Sequence, residues 1–442
     1  MNRRQKSSER FLGAFLCFEH FACLQYITSQ TMRSSFVIYF VRIVVLSHIN
    51  VYVTCDCHGQ SARTVETCPI SDSHHEKHKY YNERWSGYLQ AINISLEGYD
   101  PCQDDDNEET CSCHASVIND DLSPWSKTGI PAELVERSKP RGVFYQVVNH
   151  KLYRSKECMF PFRCLGVEHF ILKIVDELPD VEFVLNTRDW PQAHKRVEPL
   201  PVFSFSKTRD YSDIMYPAWT FWAGGPAISL YPTGIGRWDL QRDIITKAAK
   251  GAWTWDKKKA LGFFRGSRTS SERDPLILLS RSKPDLVDAQ YTKNQAWKSD
   301  QDTLGRPAAD EVRFEDHCKY KYLFNFRGVA ASFRLKHLFL CKSLVLHVGD
   351  EWLEFFYPQL KPWVHYVPVT VDLHEVEELL EFAKENDEVV REIAERGYDF
   401  IWKHLRMEDV QCYWRSLLKK YASLLRYKVV RDKSLIRITE KN

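Results

Sequence analysis

The spacing of apolar positions alternates between strand-like and helix-like from about residue 133 onward. Short apolar runs of strand length occur at 181–185, 201–205, 285–289, 322–326 and 343–348. Apolar residues at helical spacing occur at 167–178, 330–340, 373–384 and 387–396. Asp372 is placed to cap the third of these helices, and Gly397 to end the last. This alternation predicts α/β domains, in which parallel sheets are covered by helices.

The first 54 residues carry an apolar stretch instead of a periodic pattern. Residues 35–46 form a short apolar segment behind Met32 and Arg33, and Arg42 and His48 interrupt the region. A membrane-spanning helix needs about 20 mostly apolar residues, whereas a signal peptide needs only a basic start and a shorter apolar middle. We therefore expect a signal region that acts from Met32. The alternative is an uncleaved N-terminal anchor, the only membrane contact that we expect.

Charge and composition narrow the class of partner. The chain has 442 residues, and 61 Lys plus Arg against 59 Asp plus Glu leave a net charge of +2. A protein held to nucleic acid by bulk charge is excluded, because phosphate binding usually requires a clear basic excess. The 13 Trp, 21 Tyr and 25 Phe residues suit a site that stacks on ring-shaped ligands.

The 13 cysteines become disulfide candidates if the chain enters the secretory pathway. Cys102, Cys111 and Cys113 surround an acidic, turn-rich stretch. Cys158 and Cys164 bracket a short segment, and Cys318 and Cys341 bracket a strand–helix block, while Cys412 stands alone. Zinc is the competing interpretation, but no pair of Cys-x-x-Cys units is present. Cys55, Cys57 and Cys68 are left without an assignment.

Residues 55–115 are polar and rich in His, Asp and Cys, which indicates a disulfide-stapled extension of the main body. Asn93-Ile94-Ser95 is a sequon for N-glycosylation in a lumenal protein, so Asn93 is a candidate glycosylation site.

Asp189 lies where α/β proteins place their working residues, just beyond the carboxyl end of a strand. It follows the strand-like run 181–185 and stands beside Trp190 and Pro191. Partial burial beside the tryptophan suits a general base. The alternative is a structural aspartate that pairs with Arg188 or caps a turn.

Two further segments have the chemistry of an anion site. The segment 263–275 places three arginines and several hydroxyl side chains around Gly266. Guanidinium groups bind phosphate oxygens bidentately, and no Gly-Lys-Ser follows at Walker spacing. The alternative is a solvated turn.

The segment 326–334 joins a strand to the predicted helix 330–340 through small residues. Backbone N–H groups at such a helix start can approach a diphosphate, with Arg334 within reach of the same anion. Close packing alone is the alternative. Tyr231, ahead of Gly234 and Gly236, is a weaker candidate that can also be a turn with exposed aromatics. These segments together predict a nucleotide diphosphate held in a cleft, with a carboxylate opposite it.

A metal-bridged phosphate is not expected. Outside the acidic loop at 104–106, the only Asp-x-Asp is Asp300-Gln301-Asp302, and no predicted strand ends there.

A series of ordered motifs closely resembles the Rumi-type protein O-glucosyltransferases of the CAP10-like glycosyltransferase family. They include Cys-Met-Phe-Pro-Phe-Arg-Cys (158–164), Arg-Asp-Trp-Pro-Gln (188–192), Phe-Arg-Gly-Ser-Arg-Thr-Ser (264–270) and Phe-Arg-Gly-Val-Ala-Ala-Ser-Phe-Arg (326–334). Further matches lie at 166–172, 203–207, 213–222, 291–299 and 349–358. The resemblance extends from about Cys102 to Cys412 and leaves out the first hundred residues.

The resemblance implies an α/β fold of GT-B type, with two Rossmann-like domains and a disulfide-stapled N-terminal extension. We expect a leader at 1–54, a Cys-rich extension at 55–115, an acceptor-side domain at 116–240, a nucleotide-sugar-binding domain at 241–425 and a C-terminal tail at 426–442.

The activity implied is inverting transfer of glucose from UDP-glucose, or xylose from UDP-xylose in some members. The acceptor would be serine in the Cys-x-Ser-x-Pro/Ala-Cys motif of folded EGF-like repeats, in Notch-type receptors and other secreted proteins. The compartment would be the endoplasmic reticulum lumen, and neither a prosthetic group nor a metal is implied. A non-catalytic EGF-repeat binder of chaperone type, or a related transferase with another sugar or acceptor, is the alternative.

Individual positions match the family's functional residues. Asp189 matches the catalytic base. The donor contacts match Tyr231, Ser267, Arg273, Val329, Ala330, Ala331, Ser332, Phe333 and Arg334. An acceptor-contacting segment matches Met159, Phe160, Pro161, Phe162 and Arg163. The family's disulfides would join Cys102 to Cys113, Cys111 to Cys412, Cys158 to Cys164, and Cys318 to Cys341.

Relatives usually end in a Lys-Asp-Glu-Leu-like retrieval signal. Residues 438–442 of this chain read Ile-Thr-Glu-Lys-Asn, so retention by that signal is not expected.

Overall fold

The computed structural model describes residues 83–102, 111–222, 235–294 and 297–440. The predicted leader, Cys55, Cys57, Cys68 and Tyr231 lie outside these residues. The strands in chain order are β1 (Val143–Val148), β2 (Lys151–Arg154), β3 (Val181–Leu185), β4 (Val202–Ser204), β5 (Ile214–Met215), β6 (Lys259–Gly266), β7 (Val287–Tyr291), β8 (Tyr320–Asn325), β9 (Leu344–Val348), β10 (Val367–Val369) and β11 (Ile436–Arg437).

The helices in chain order are α1 (Ser86–Glu97), α2 (Ser112–Leu122), α3 (Ala132–Ser138), α4 (Pro161–Ile174), α5 (Trp238–Lys250), α6 (Asp274–Ser282), α7 (Phe314–His317), α8 (Leu335–Phe339), α9 (Val376–Glu385), α10 (Asp387–His404) and α11 (Met407–Leu424). The strands predicted from the sequence correspond to β3, β4, β7, β8 and β9, with shifts of one or two residues at their ends. The helices predicted at 167–178 and 373–384 correspond to α4 and α9.

The first sheet is mixed, not parallel throughout. Its strand order is β11-β2-β1-β3-β4-β5, and β1 is antiparallel to both β2 and β3, whereas β3, β4 and β5 are parallel. The sequence analysis did not predict the β1–β2 hairpin. Its two-residue turn has Asn149 at φ 49° and His150 at φ 57°, as a type I′ turn requires.

The second sheet is parallel, with the order β10-β9-β8-β6-β7. Its strand order reverses between β6 and β8, because the chain runs from β6 to β7 on one side and then crosses to β8 on the other. Parallel α/β sheets bind their ligands at the carboxyl ends of the strands at such a reversal. Gly266 and Asn325 are the last residues of these two strands.

Alternating residues of the second sheet serve two cores. Phe263 and Leu323 belong to a core shared with the first sheet, whereas the neighbouring Phe264 and Phe324 face a core on the opposite side. This alternation follows from the two-residue period of a strand. The second sheet is therefore covered on both faces, as parallel sheets generally are.

The segments at the two ends of the described chain contribute to the packing of both sheets. Helix α1 packs into the second sheet's outer core through Trp85, Leu89 and Ile92, whereas α2 contacts α11 and β5. Helix α11 also packs on α4, and β11 pairs with β2. The chain thus returns to the first sheet from Met407 onward.

Within the described ranges there are four disulfides: Cys102–Cys113, Cys111–Cys412, Cys158–Cys164 and Cys318–Cys341. These are the pairs that the family resemblance implies. Asn93 lies within α1 and is half-buried, and the neighbouring Ile94 is exposed. None of the helices in the described ranges is long and apolar enough to cross a membrane.

Several predicted helix boundaries are wrong. The helix predicted to begin at Leu373 with Asp372 as its cap begins at Val376, with Glu375 at the N-cap position. The helix predicted at 330–340 begins only at Leu335, and the preceding residues form turns. The helix predicted to end at Gly397 continues to His404. A Cβ at Gly397 would lie 2.5 Å from the His365 carbonyl oxygen and 2.7 Å from the Phe339 ring. The glycine is therefore needed for close packing between elements, not for termination.

Candidate active site

Asp189 lies in a loop that is fixed at the carboxyl end of β3. The fully buried Asn186 amide group donates to the carbonyl of Trp190 (2.7 Å) and to Ser204 Oγ (3.0 Å), and its Oδ1 accepts from the Arg188 backbone N–H. Tyr216 donates to the Asn186 carbonyl. The loop is thus closed by hydrogen bonds to the neighbouring strand β4 and its surroundings, and Asp189 is presented at the surface of the sheet edge.

The ion-pair partner of Asp189 is Arg163, not Arg188. Arg163 Nη2 lies 2.9 Å from Asp189 Oδ1, and 39% of the aspartate side chain remains exposed. Arg188 instead donates to the Arg141 carbonyl. One alternative drawn from the sequence was that Asp189 forms a structural pair with Arg188. In the described structure this pairing is not present, so that alternative is wrong.

An exposed apolar surface adjoins this carboxylate. The segment Met159–Arg163 lies within the Cys158–Cys164 disulfide loop, and Pro161 occupies the first position of α4, where proline is favoured. The exposed fractions are 60% for Met159, 38% for Phe160 and 67% for Phe162. Trp190, next to Asp189, is 48% exposed. Such a contiguous apolar patch is typical of a protein-binding surface.

The second group of candidate residues meets at the carboxyl ends of β6 and β8. Arg273 is 4% exposed and donates through Nη1 to the Ser267 carbonyl and to Thr269 Oγ1, and through Nη2 to the Arg327 carbonyl. The Ser267 hydroxyl itself lies 3.1 Å from Thr269 Oγ1. The strand reversal therefore brings Ser267 and Arg273 together with the start of the segment 326–334.

Two guanidinium groups here have buried nitrogens without partners among the described residues, namely Arg273 Nε and Arg334 Nη1. Both groups lie over the Phe264 ring, at 5.4 and 4.9 Å from its centroid. Burial lowers the pKa of Arg273 to about 10, and burial together with the Arg273 charge lowers the pKa of Arg334 to about 9. Both remain cationic at neutral pH, so an anion placed beside them would relieve an unfavourable arrangement.

Gly266 creates the room for this pair. A Cβ at this position would lie 2.8 Å from Arg334 Nη2. Of the three arginines in the segment 263–275, Arg265 is held by Asp288 and Arg268 by Asp274. Only Arg273 is left to serve an anion.

The segment Val329–Arg334 is a loop, so its predicted contribution as a helix N-terminus is wrong. Val329 is 46% exposed, whereas Ala330 and Ala331 are buried. Tyr357 donates to the Ser332 carbonyl, and the Phe333 carbonyl accepts from Lys336 Nζ (3.2 Å) and from His337 Nδ1 (3.0 Å). These bonds fix the loop and the direction of Arg334 without helical structure.

An open cleft of about 450 Å³ lies beside this loop, at the carboxyl ends of β8 and β9. Its lining includes Ala331, Ser332, Asn325, His347 and Trp352. The Asn325 amide lies 2.8 Å from His347 Nδ1, while its buried Oδ1 has no partner among the described residues. Asn325 was not predicted from the sequence, although it is a polar residue near the end of the strand predicted at 322–326 and is the last residue of β8.

One contact joins the cleft to the base loop. The ring of Trp352 packs edge-to-face on Trp190 at 5.0 Å. The base loop and the loop that carries Arg334 therefore both adjoin this cleft.

Among the described residues, one group places three ligand atoms close enough for a metal ion: Asp372, His374 and Glu375. Asp372 and His374 are exposed, and all three side chains are hydrogen-bonded or paired with one another or with Thr370. This group is distinct from the residues around Arg273 and Arg334.

The site can be compared with known proteins. A family model described as glycosyl transferase family 90 matches residues 106–442. An O-glucosyltransferase rumi homolog from Aedes aegypti is 60% identical over 377 residues, which cover 84% of this chain and 92% of the relative. The chain belongs to glycosyl transferase family 90, among the Rumi-type protein O-glucosyltransferases.

Two other relatives support this placement. Protein O-glucosyltransferase 1 of Homo sapiens is 59% identical over 371 residues, covering 83% of this chain and 93% of the relative. O-glucosyltransferase rumi of Drosophila melanogaster is 62% identical over 348 residues, covering 78% and 84%. The family resemblance inferred from the sequence motifs, and the enzyme class with it, is confirmed.

Proposed function

We propose that this enzyme transfers glucose from UDP-glucose to a serine hydroxyl of a folded EGF-like repeat, with inversion at the sugar. The observation that carries the proposal is that one cleft adjoins two loops of the described structure. One carries the surface carboxylate Asp189 and meets the cleft through Trp190 and Trp352, and the other carries Arg334, a partly unpartnered arginine like Arg273. The names of the relatives support a protein acceptor and a glucosyl donor.

In the proposed mechanism, Asp189 accepts the proton of the acceptor serine as its oxygen attacks C1 of the sugar. The bond from C1 to the phosphate oxygen breaks, and the departing UDP takes the electron pair. Arg273 and Arg334 stabilise the negative charge that develops on the leaving diphosphate, a role that preorganised cations perform in a largely buried site. Because one displacement occurs, one carboxylate is sufficient.

The exposed loop Met159–Arg163 is the proposed acceptor surface. Its apolar side chains and Trp190 lie beside the carboxylate, so that a folded module docked there would present a serine to Asp189. An EGF-like repeat of a Notch-type receptor or another secreted protein suits this surface, because it is a compact module and not a polyanion. UDP-xylose is a second candidate donor.

The proposed compartment is the lumen of the endoplasmic reticulum. The four disulfides of the structure support it, because such bonds persist in oxidising compartments and are rare in the cytosol.

The proposal is tested with purified protein, UDP-glucose and a folded EGF-like repeat, with the product identified by mass spectrometry. Asp189→Asn should lower kcat by about 100-fold or more and keep UDP binding by calorimetry. Asp180→Asn is the matched control, since this exposed carboxylate lies at the other end of β3. Wild-type turnover no greater than that of Asp189→Asn would favour a non-catalytic EGF-repeat binder. A parallel reaction with UDP-xylose decides the sugar.

A further inference from the structure

Arg163 is enclosed on every side by groups that fix its guanidinium. The Phe160 and Trp219 rings lie 4.4 and 4.2 Å from its central carbon. Nη1 donates to the Thr187 carbonyl at 2.6 Å, and Nη2 contacts Asp189. Only 16% of the side chain is exposed. A guanidinium stacked between two rings and bonded at both ends has little freedom to turn toward a docking protein.

The rings that hold Arg163 are themselves fixed. Trp219 is 2% exposed, and α4 approaches it so closely that a Cβ at Gly166 would lie 2.6 Å from the Trp219 carbonyl oxygen. Phe333 of the donor-side loop packs on Trp219 at 5.3 Å and on Phe205 at 5.2 Å. The contacts Asp189–Arg163–Trp219–Phe333 thus run from the carboxylate to the loop that carries Arg334.

We infer that Arg163 is a positioning residue for the Asp189 base, and not a contact for the acceptor as the family resemblance implies. The ion pair uses Oδ1 of Asp189 and leaves Oδ2 outside it, so that Oδ2 can receive the serine proton. Arg163 fixes the carboxylate relative to the donor-side loop. This inference rests on the proposed function, in which Asp189 is the base.

The consequence for kinetics is specific. A misplaced base slows the chemical step, and a displacement of about 1 Å can cost about 100-fold in rate. Removal of an acceptor contact would instead raise the KM for the acceptor and leave kcat unchanged. Positioning and acceptor binding are therefore separated by which kinetic constant changes.

Substitution by lysine gives a second readout. Lysine restores a positive charge beside Asp189 but not the planar guanidinium that lies over the Trp219 ring and donates to the Thr187 carbonyl. If Arg163 holds the base in place, Arg163→Lys should therefore recover part of the lost rate.

The experiment compares wild type, Arg163→Met, Arg163→Lys and Asp189→Asn in UDP-glucose transfer to a folded EGF-like repeat. We expect Arg163→Met to lower kcat by roughly 10- to 100-fold, with the acceptor KM within about threefold of wild type. Arg163→Lys should recover part of kcat, because it restores the charge. UDP affinity, measured by calorimetry, checks that the variants are folded.

Arg188→Met is the matched control, because it removes an adjacent arginine that does not contact the carboxylate, and it should keep the wild-type kcat and acceptor KM. An Arg163→Met enzyme with unchanged kcat and a raised acceptor KM would overturn the inference, as would an Arg163→Lys enzyme that is no faster than Arg163→Met. If Asp189→Asn retained full turnover, the proposed function itself would fail. If only Asp189→Asn lost activity, the positioning role alone would fail.

Discussion

Gly166 illustrates how a residue without a side chain determines the geometry of the site. It lies in the second turn of α4, where the helix meets Trp219, and a Cβ there would lie 2.7 Å from the Trp219 Cβ. Trp219 in turn holds the Arg163 guanidinium. The absence of a Cβ at Gly166 therefore allows α4 to approach Trp219 closely. This spacing affects Asp189, because Trp219 contacts Arg163 and Arg163 pairs with Asp189.

We predict that Gly166→Ala lowers both stability and kcat. Overpacking of this kind typically costs about 1–3 kcal/mol, and displacement of Trp219 moves the stacking face of Arg163. Urea unfolding and transfer kinetics on the same preparation measure the two effects. Gly87→Ala in α1 is the control, because no atom lies within 4 Å of an added Cβ there. Equal effects of the two substitutions would contradict the steric explanation.

At the residue scale, the sequence indicated Asp189 but not its partner. The position of the carboxylate follows from a local pattern, because a strand that ends before a polar residue is visible in the sequence. Arg163 lies on α4, and only the packing of that helix against Trp219 brings it to the loop. A pairing across 26 positions has no local signature, which is why the alternative drawn from the sequence considered only Arg188, the neighbouring residue, as a partner.

At the scale of elements, the buried strands could be predicted and the short or irregular elements could not. Strands β3, β8 and β9 are mostly apolar and mostly buried, as strands covered on both faces generally are. The hairpin of β1 and β2 was missed because its turn uses Asn149 and His150 instead of Asn-Gly. The start of α8 was misplaced because Ala330 and Ala331 are apolar for packing in a turn, not for a helix face.

We predict that two of the disulfides have separable roles. Cys111–Cys412 joins the start of α2 to α11 across 301 positions, whereas Cys158–Cys164 closes a loop of sequence separation 6. The entropy removed from the unfolded chain grows with loop length, and loss of a long-range disulfide typically costs about 2–5 kcal/mol. The double variant Cys111→Ser/Cys412→Ser should therefore lose the most stability, by urea unfolding, and keep its acceptor KM while folded.

The double variant Cys158→Ser/Cys164→Ser should show the opposite pattern. Its loss of stability should be smaller, and its acceptor KM should rise because Phe160 and Phe162 are no longer held by the closed loop. Transfer kinetics at increasing concentrations of a folded EGF-like repeat measure this. A normal KM in the short-loop variant would argue that the loop Met159–Arg163 does not bind the acceptor.

At the scale of the whole molecule, the site exists because two sheets present their carboxyl edges to one region. The reversal of strand order between β6 and β8 places Arg273 beside Arg334, and β3 of the other sheet carries the Asp189 loop. The net charge of +2 gives no sign of this arrangement, because Arg265, Arg268 and Arg327 are neutralised by local carboxylates. The family motifs indicated the residues, but only the topology shows why they meet.

Buried histidines make the whole fold sensitive to acid. Burial lowers the pKa of His114 and His347 to about 4, and that of His317 and His365 to about 3. In the unfolded chain each would bind a proton below about pH 6.5. Between about pH 6.5 and the lower pKa of the folded state, the unfolded chain binds more protons than the folded protein. The free energy of unfolding is therefore highest above about pH 6.5 and falls as the pH decreases toward 4.

We predict that the free energy of unfolding falls by about 1.4 kcal/mol per pH unit for each such histidine in that range. His114→Gln removes one titrating group while an amide N–H can still reach the His404 carbonyl, which His114 Nε2 contacts at 2.9 Å. For this variant the free energy of unfolding, measured with urea between about pH 7 and about pH 4, should depend less steeply on pH than in wild type. The difference in slope should correspond to one proton. His150→Gln, at the exposed hairpin turn, is the matched control. Identical slopes for His114→Gln and wild type would show that acid sensitivity comes from other groups, such as the buried carboxylates.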